Sequence, residues 1–79
     1  MGAIMEWAKE PQPALLDPVA LLVDVPEESL ARGQVGTVVE ELDTNTVLVE
    51  FSDADGRAYA IVPCPRADLI VLHQAPQTA

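Results

Sequence analysis

The apolar residues of this chain gather in short runs that are rich in β-branched side chains and bounded by Pro, Gly, Asp, Asn and Ser. Runs of this length and composition are typical of β-strands, and the bounding residues favour turns. The pattern predicts five strands, at residues 19–25, 34–42, 47–51, 57–62 and 69–73. For the first run a short helical turn is the alternative interpretation, because the run also contains the helix formers Leu and Ala.

The third predicted strand shows the clearest alternation. Its residues Val47, Val49 and Phe51 recur at every second position, so they share one face, which we expect to be the core face. Glu50 belongs to the other face and is expected to point outward.

The segments between the predicted strands differ in composition. Residues 26–33 form a polar loop, and residues 43–46 form a turn of side chains that hydrogen-bond their own backbone. Residues 53–56 predict a hairpin in which Gly56 takes a positive φ. Residues 63–68 interrupt the fourth strand, because their two prolines cannot lie in a central ladder, and their last three residues suit one turn of 3-10 helix.

Two glycines, Gly33 and Gly36, introduce the second predicted strand. A Gly-x-x-Gly-x-Val sequence before a strand is found in many small nucleic-acid-binding barrels, but those barrels combine it with basic and aromatic surface residues. This chain has few of either, so we interpret the glycines as architectural. At Gly36 we expect a bulge or a tight bend, where a side chain would collide with a neighbouring strand.

The order of elements predicts an all-β fold, a small five-stranded SH3-like barrel with a short 3-10 turn before the last strand. Strands of this length can close around one shared core, which a flat sheet of this size could not bury. We assign residues 14–74 to the barrel, residues 1–13 to a flexible N-terminal tail and residues 75–79 to a disordered C-terminal tail. Trp7, in the first tail, either packs over an end of the barrel or binds a partner.

The stretch "DPVALLVDVPEESLARGQVGTVVEEL", followed by "VEFSDADGRAYAIV" and "LIVLH", resembles the bacterial domain-of-unknown-function family numbered 4926. Members begin with an "LLD-V-LL" strand, continue through "P-E-LR-GQVGTVVE" and then form a "VEF-D-DG-TYA" hairpin. The resemblance covers about residues 15–73. It implies an SH3-like or KOW-like barrel and implies no activity. The segment "PCPRAD" departs from the pattern in being richer in proline.

The charge of the chain bears on its partners. Thirteen acidic residues against four basic ones give a formal net charge of −9. Binding nucleic acid requires several phosphates to be neutralised by Lys or Arg, so nucleic acid is an unlikely partner, and an anionic membrane is disfavoured for the same reason. The charge favours a basic protein partner or simply solubility. The available cations are isolated from each other in sequence: Lys9, Arg32, Arg57 and Arg66.

Cys64 is the single cysteine and cannot form an internal disulfide, which agrees with a cytoplasmic protein. We expect no membrane segment, since no stretch approaches about 20 apolar residues. The N-terminus has no apolar run of signal-peptide length, and Glu6 stands where a myristoylation signal needs Ser or Thr. The first residue of the natural protein is either Met1 or Met5.

The sequence offers little for catalysis or metal binding. Cys64 and His73 alone are two ligands short of a zinc site, and Cys64 lacks the cationic surroundings of a nucleophilic thiol. Residues 53–56 begin like a calcium loop, but Cys64 occupies the twelfth position, where such a loop has Glu. A domain this small rarely has the apolar pocket that a catalytic carboxylate pair needs. We therefore expect no enzyme activity and no cofactor.

The leading hypothesis is a non-enzymatic module that binds a basic protein through an acidic face, with an aromatic anchor at the rim. Candidate residues are Glu27, Glu28, Glu40, Glu41, Glu50, Asp53, Asp55 and Tyr59. Alternatively, these carboxylates only keep the domain soluble. A second hypothesis is an accessory subunit of an enzyme or electron-transfer complex. A third, less favoured, is a nucleic-acid-binding KOW-like domain with a basic patch of Arg32, Arg57 and Arg66. Strand edges also make a homodimer possible.

Overall fold

A computed structural model describes residues 12–72 of the chain. It contains five strands and two 3-10 turns, which confirms the predicted all-β fold with a 3-10 turn before the last strand. The strands are β1 (Pro18–Leu21), β2 (Val35–Glu41), β3 (Thr46–Ser52), β4 (Ala58–Pro65) and β5 (Leu69–Val71), and the 3-10 turns are Pro26–Glu28 and Arg66–Asp68. The predictions about Trp7, His73, residues 1–11 and the C-terminal tail concern residues outside the described part.

The five strands form one antiparallel sheet in the order β4-β3-β2-β1-β5. This is the strand order of an SH3-like barrel. Strands β4 and β5 lie at the two edges of the sheet and are joined in sequence by the second 3-10 turn. The sheet coils around a single core, with β1, β2 and β3 in its middle.

The core is built from the inward residues of every strand, as the alternation in β3 predicts. Val47, Val49 and Phe51 are fully buried, while Leu48 and Glu50 between them are only partly covered. The remaining core residues come from the other strands and one loop: Val19, Leu21, Leu30, Val38, Val62, Cys64 and Leu69. No charged residue in the described part is buried.

The first strand is shorter than predicted, and the loop after it is more ordered. The strand ends at Leu21, whose amide donates to the Gln34 carbonyl and whose carbonyl accepts from the Gly33 amide. Leu30 reaches the core from the predicted polar loop, and a backbone bridge to Val25 holds it there. The loop therefore covers one side of the barrel.

The fourth strand is longer than predicted and includes both prolines. It pairs with β3 as far as Thr46↔Pro65, with Leu48 opposite Pro63. The prediction that prolines interrupt the strand was wrong, because β4 is an edge strand. A proline in an edge strand removes a donor only from the open side of the sheet, where no neighbouring strand needs it.

At Gly36 the backbone of β2 lies close against β3. A Cβ atom on Gly36 would lie 2.7 Å from Val49 Cγ1, 2.8 Å from the Glu50 carbonyl oxygen and 2.9 Å from Phe51 Cδ1. The predicted collision is confirmed. The irregularity of β2 itself lies further along, since its register with β3 shifts between Val38 and Glu40.

Candidate interaction surfaces

The structure divides the predicted partner-binding residues between the two ends of the barrel. Phe51, beside the hairpin, pairs with Gly36 at the beginning of β2, whereas Val47 pairs with Glu41 at its end. These two positions on β3 are four residues apart, which is about 13 Å along a strand. The acidic side chains of the 53–57 hairpin therefore lie at one end, and Glu40 and Glu41 lie at the other.

Tyr59 connects the elements of the first end. Its hydroxyl donates to the carbonyl oxygen of Ser29 at 3.2 Å and accepts a hydrogen bond from Gln34 Nε2 at 2.6 Å. Ser29 directly follows the acidic pair Glu27 and Glu28, so this contact holds the loop that carries the pair against β4. The side chain of Tyr59 is 45% exposed. We call this surface the hairpin end and define it as Glu27, Glu28, Asp53, Asp55 and Tyr59.

Asp53 has a structural role in the hairpin. Its Oδ1 accepts hydrogen bonds from the backbone amides of Asp55 at 2.9 Å and Arg57 at 3.0 Å. The Gly56 amide donates to the Asp53 carbonyl at 3.0 Å, and Gly56 has the predicted positive φ of 82°. The turn accounts for Asp53, whereas the carboxylates of Glu27, Glu28 and Asp55 are exposed and accept no hydrogen bond within the described residues.

At the opposite end of the barrel, Arg66 connects several segments of the chain. Its Nε donates to the Thr44 carbonyl at 2.9 Å, NH2 donates to the Asp43 carbonyl at 3.3 Å, and NH1 donates to the Pro13 carbonyl. NH2 also lies 3.5 Å from Glu41 Oε2, in the one ion pair found among residues 12–72. We call this surface the clamp end and define it as Glu40, Glu41 and Arg66.

Glu50 belongs to neither end. It lies within β3, next to Phe51 and so near the hairpin as predicted, but its half-buried side chain stands between Thr37 on β2 and Ile61 on β4. Its outward orientation is as predicted. The eight acidic and aromatic candidates therefore do not form one continuous face.

The predicted basic patch is also divided. Arg66 contacts the β2–β3 turn, while Arg57 lies in the hairpin at the other end of β3. Arg32 lies in the β1–β2 loop, where its amide donates to Asp24 Oδ1 at 2.8 Å. The guanidinium group of Arg66 is already occupied by backbone carbonyls, so it contributes little to an open cationic surface.

Cys64 is a core residue. Its side chain is 2% exposed and its Sγ lies 3.6 Å from the Val62 carbonyl, to which the thiol donates. Burial raises the pKa of the Cys64 thiol, and the negative charge of Asp68 raises it further. A thiol that is buried and resists ionisation is a poor nucleophile.

A cleft of about 240 Å³ lies next to Cys64, between the β1–β2 loop and β4. Asp24, Glu27 and Asp68 line it together with apolar side chains. Among residues 12–72, no three His, Cys, Asp or Glu side chains come close enough to hold a metal ion. In the same residues no helix has the length and apolarity needed to cross a membrane.

We expect the raised pKa of Cys64 to appear in the pH dependence of stability. The unfolded chain releases the thiol proton at a lower pH than the folded chain does. The protonated thiol therefore contributes fully to the free energy of unfolding below the ordinary cysteine pKa of about 8.5. That contribution is lost as the pH rises towards the pKa of the thiol in the folded chain. Denaturant unfolding from about pH 7 to 10 should show the free energy of unfolding of the wild type falling more steeply above about pH 8.5 than that of Cys64→Ala. Parallel pH profiles for the two proteins would contradict this role for the thiol.

Two features of the clamp end are not among the predictions from the sequence pattern. One is the network of Arg66, which the sequence shows only as an isolated cation. The other is the turn at residues 14–17, where Leu15 and Leu16 are 54% and 71% exposed. The sequence could have predicted this turn, because the two leucines directly precede Asp-Pro. Asp and Pro favour turns, and a turn here leaves the apolar pair outside the strand.

Comparison with known proteins gives one match. No curated protein and no solved structure matches the sequence. A family model described as a domain of unknown function (DUF4926) matches residues 15–71, a range that includes all five strands and both 3-10 turns. The resemblance seen in the sequence is thereby confirmed, and the chain belongs to the DUF4926 family.

Proposed function

We propose that this protein is a non-enzymatic interaction module that binds a basic protein partner through its hairpin end. The observation that carries the proposal is the position of Tyr59, whose ring is exposed while its hydroxyl is held by Gln34 and Ser29. An aromatic side chain fixed in this way loses little conformational entropy on binding, which is why Tyr is frequent at the centres of protein interfaces.

The charges around Tyr59 support a basic partner. Glu27 and Glu28 precede Ser29 in the loop that Tyr59 contacts, and Asp55 lies in the hairpin that leads into β4; all three are exposed. The cations of these segments are Arg57 in the hairpin and Arg32, two residues before Gln34, so carboxylates still outnumber guanidinium groups here. A partner that presents Lys or Arg around an aromatic-binding pocket would satisfy both features, and electrostatic attraction would accelerate its association.

Nucleic acid is less well supported as a partner. The three arginines that would form a phosphate-binding patch lie at different places, and Arg66 already donates to carbonyl groups. Phosphate binding depends on several cations acting together. The absence of a mobility shift with DNA or RNA at about 50 mM salt, where screening is weak, would agree with this argument.

The test begins with affinity capture from the native host, followed by purification of the captured protein and measurement of its dissociation constant. We expect Glu27→Gln, Glu28→Gln and Asp55→Asn together to weaken binding at least about tenfold, and wild-type binding to weaken as salt increases. Asp53 is left unchanged, because replacing it would disturb the hairpin itself.

The matched control is Glu40→Gln, which removes an exposed carboxylate at the opposite end. It should leave the dissociation constant within about twofold of the wild type, and Tyr59→Ala should weaken binding at least about tenfold. If the triple variant binds as tightly as the wild type but precipitates more readily, the carboxylates serve solubility and the proposal fails.

A further inference from the structure

Next to the clamp end, Leu15 and Leu16 form an exposed apolar tip with unusual local geometry. Residues 14–17 form a β-turn closed by the Asp17 amide, which donates to the Ala14 carbonyl at 3.0 Å. Asp17 Oδ2 accepts from the Ala14 amide at 2.9 Å and locks the turn. The two central positions are Leu15 and Leu16, and both are exposed. Turn centres usually hold Gly, Asn, Asp, Pro or Ser, so two exposed leucines have no explanation in the turn itself.

The second leucine is also conformationally strained. Leu16 has a φ of 69°, in the left-handed region that glycine or asparagine occupies at much lower energy. The strain is maintained by the sheet, because the Leu16 amide donates to the Val38 carbonyl at 2.7 Å and the Val38 amide donates to the Asp17 carbonyl at 3.0 Å. Leu16 therefore costs stability, and since its side chain is 71% exposed it recovers little by burial. Such conflicts between local preference and structure are typical of functional sites.

The surroundings of the tip are apolar at the centre and acidic at the rim. The pairing with Val38 brings residues 15–17 beside Val39, which is 36% exposed, and beside Glu40. Arg66 spans from the Pro13 carbonyl to Glu41 and to the Asp43 backbone, which brings both residues next to the turn. The acidic residues of these segments are Asp17, Glu40, Glu41 and Asp43. Asp17 accepts from the Ala14 amide, Asp43 accepts from the Asn45 amide and Glu41 pairs with Arg66, while Glu40 is exposed.

We propose that Leu15 and Leu16 form a docking tip for a second protein surface, an apolar pocket with Lys or Arg at its rim. Charge complementarity selects this occupant, since the segments next to the tip carry four acidic residues and one cation, Arg66, which is engaged by carbonyl groups and Glu41. A second copy of this chain would bring carboxylates against carboxylates. The tip lies at the end of the barrel opposite Tyr59, so this surface is independent of the one proposed above.

The test uses the full-length, ¹⁵N-labelled protein and an amphipathic Leu/Lys peptide of about four helical turns as a stand-in for a basic-rimmed apolar surface. We expect saturable shifts of the amide signals of residues 15–17 and 38–41. A peptide with Gln in place of Lys should bind at least about tenfold more weakly, because the rim charges then have no counterpart. Phosphatidylcholine vesicles should not shift these signals.

Leu16→Gly separates binding from folding. Glycine relieves the positive φ, so the melting temperature should equal or exceed that of the wild type, while the affinity for the Leu/Lys peptide falls at least about tenfold. Ile61→Gln is the matched control, since Ile61 is an exposed apolar residue on β4, away from the tip, and its affinity should stay within about twofold.

Three results would each overturn the proposal. The first is the absence of saturable shifts at residues 15–17. The second is binding of the Gln peptide, or of the vesicles, that equals binding of the Lys peptide. The third is a Leu16→Gly protein that melts well below the wild type. The last would mean that Leu16 supports the fold. None of these measurements involves the hairpin end, so the two proposals succeed or fail separately.

Discussion

Gly36→Ala is expected to lower the free energy of unfolding by about 3 kcal/mol, at the upper end of the range for overpacking a core. The new methyl group would approach Val49 Cγ1, the Glu50 carbonyl oxygen and Phe51 Cδ1 to within 3 Å. Two of these contacts are with fully buried side chains and the third is with backbone, so none can move away cheaply. A domain of this size has a total stability of roughly 4–12 kcal/mol, so the loss would be a large share. Denaturant unfolding of the purified proteins measures it.

Gly33→Ala is the matched control for this prediction. Gly33 has a φ of 91°, but a Cβ atom there would meet nothing within 4 Å. Its substitution adds only the conformational cost of a left-handed alanine, about 1–2 kcal/mol. If Gly36→Ala costs no more than Gly33→Ala, the close approach of β2 to β3 does not restrict this position.

Arg66→Lys is expected to cost about 2 kcal/mol, although it keeps the positive charge. Arg66 donates to three carbonyl groups at once, and its side chain is only 15% exposed. A lysine ammonium cannot reproduce the planar arrangement of donors, so at least one of the three carbonyls loses its partner. Arg66→Met should cost about 3 kcal/mol, because the charge-assisted bonds then disappear entirely. The free energy of unfolding in denaturant reports both effects.

Hydrogen exchange tests the same prediction locally. The amides of Ala14 and Asp17 are hydrogen-bonded within the turn, and the Leu16 amide donates to the Val38 carbonyl of β2. Arg66 ties this turn to the β2–β3 connection through the Pro13 carbonyl. In Arg66→Lys these amides should exchange faster, relative to β3, than in the wild type. Arg57→Lys is the control, since Arg57 is exposed in the hairpin, and its stability should stay within about 0.5 kcal/mol. Equal losses in the two lysine variants would show that Arg66 has no special role.

Local pattern predicted the elements whose environment is regular. The alternation of Val47, Val49 and Phe51 identified the core face of β3, because side chains of a strand alternate whatever else the chain does. The hairpin with Gly56 and the close approach at Gly36 were likewise predictable, since glycine is required where φ is positive or where backbones meet.

The predictions that were wrong concern residues whose environment depends on which segments are their neighbours in space. Pro63 and Pro65 remain in β4 because β4 is an edge strand with no neighbour on its outer side. The sequence does not show which strand lies at the edge. Leu30 stands alone in a polar segment and becomes a core residue only because the loop folds over the barrel. The composition of both segments was interpreted correctly, but the environment of these residues depends on how the chain folds.

The sequence by itself determined the fold class, the core face of β3 and the acidic character of the surface, because these depend on periodicity, turn chemistry and residue counts. Only the tertiary structure decided how that surface is arranged. The pairing of β2 with β3 places Glu41 opposite Val47, about 13 Å along β3 from Phe51. Arg66 becomes a clamp through contacts with residues more than twenty positions away. Leu16 is strained because Val38 holds it in register. Each of these depends on which strands are neighbours, and strand pairing is long-range information that no local pattern contains.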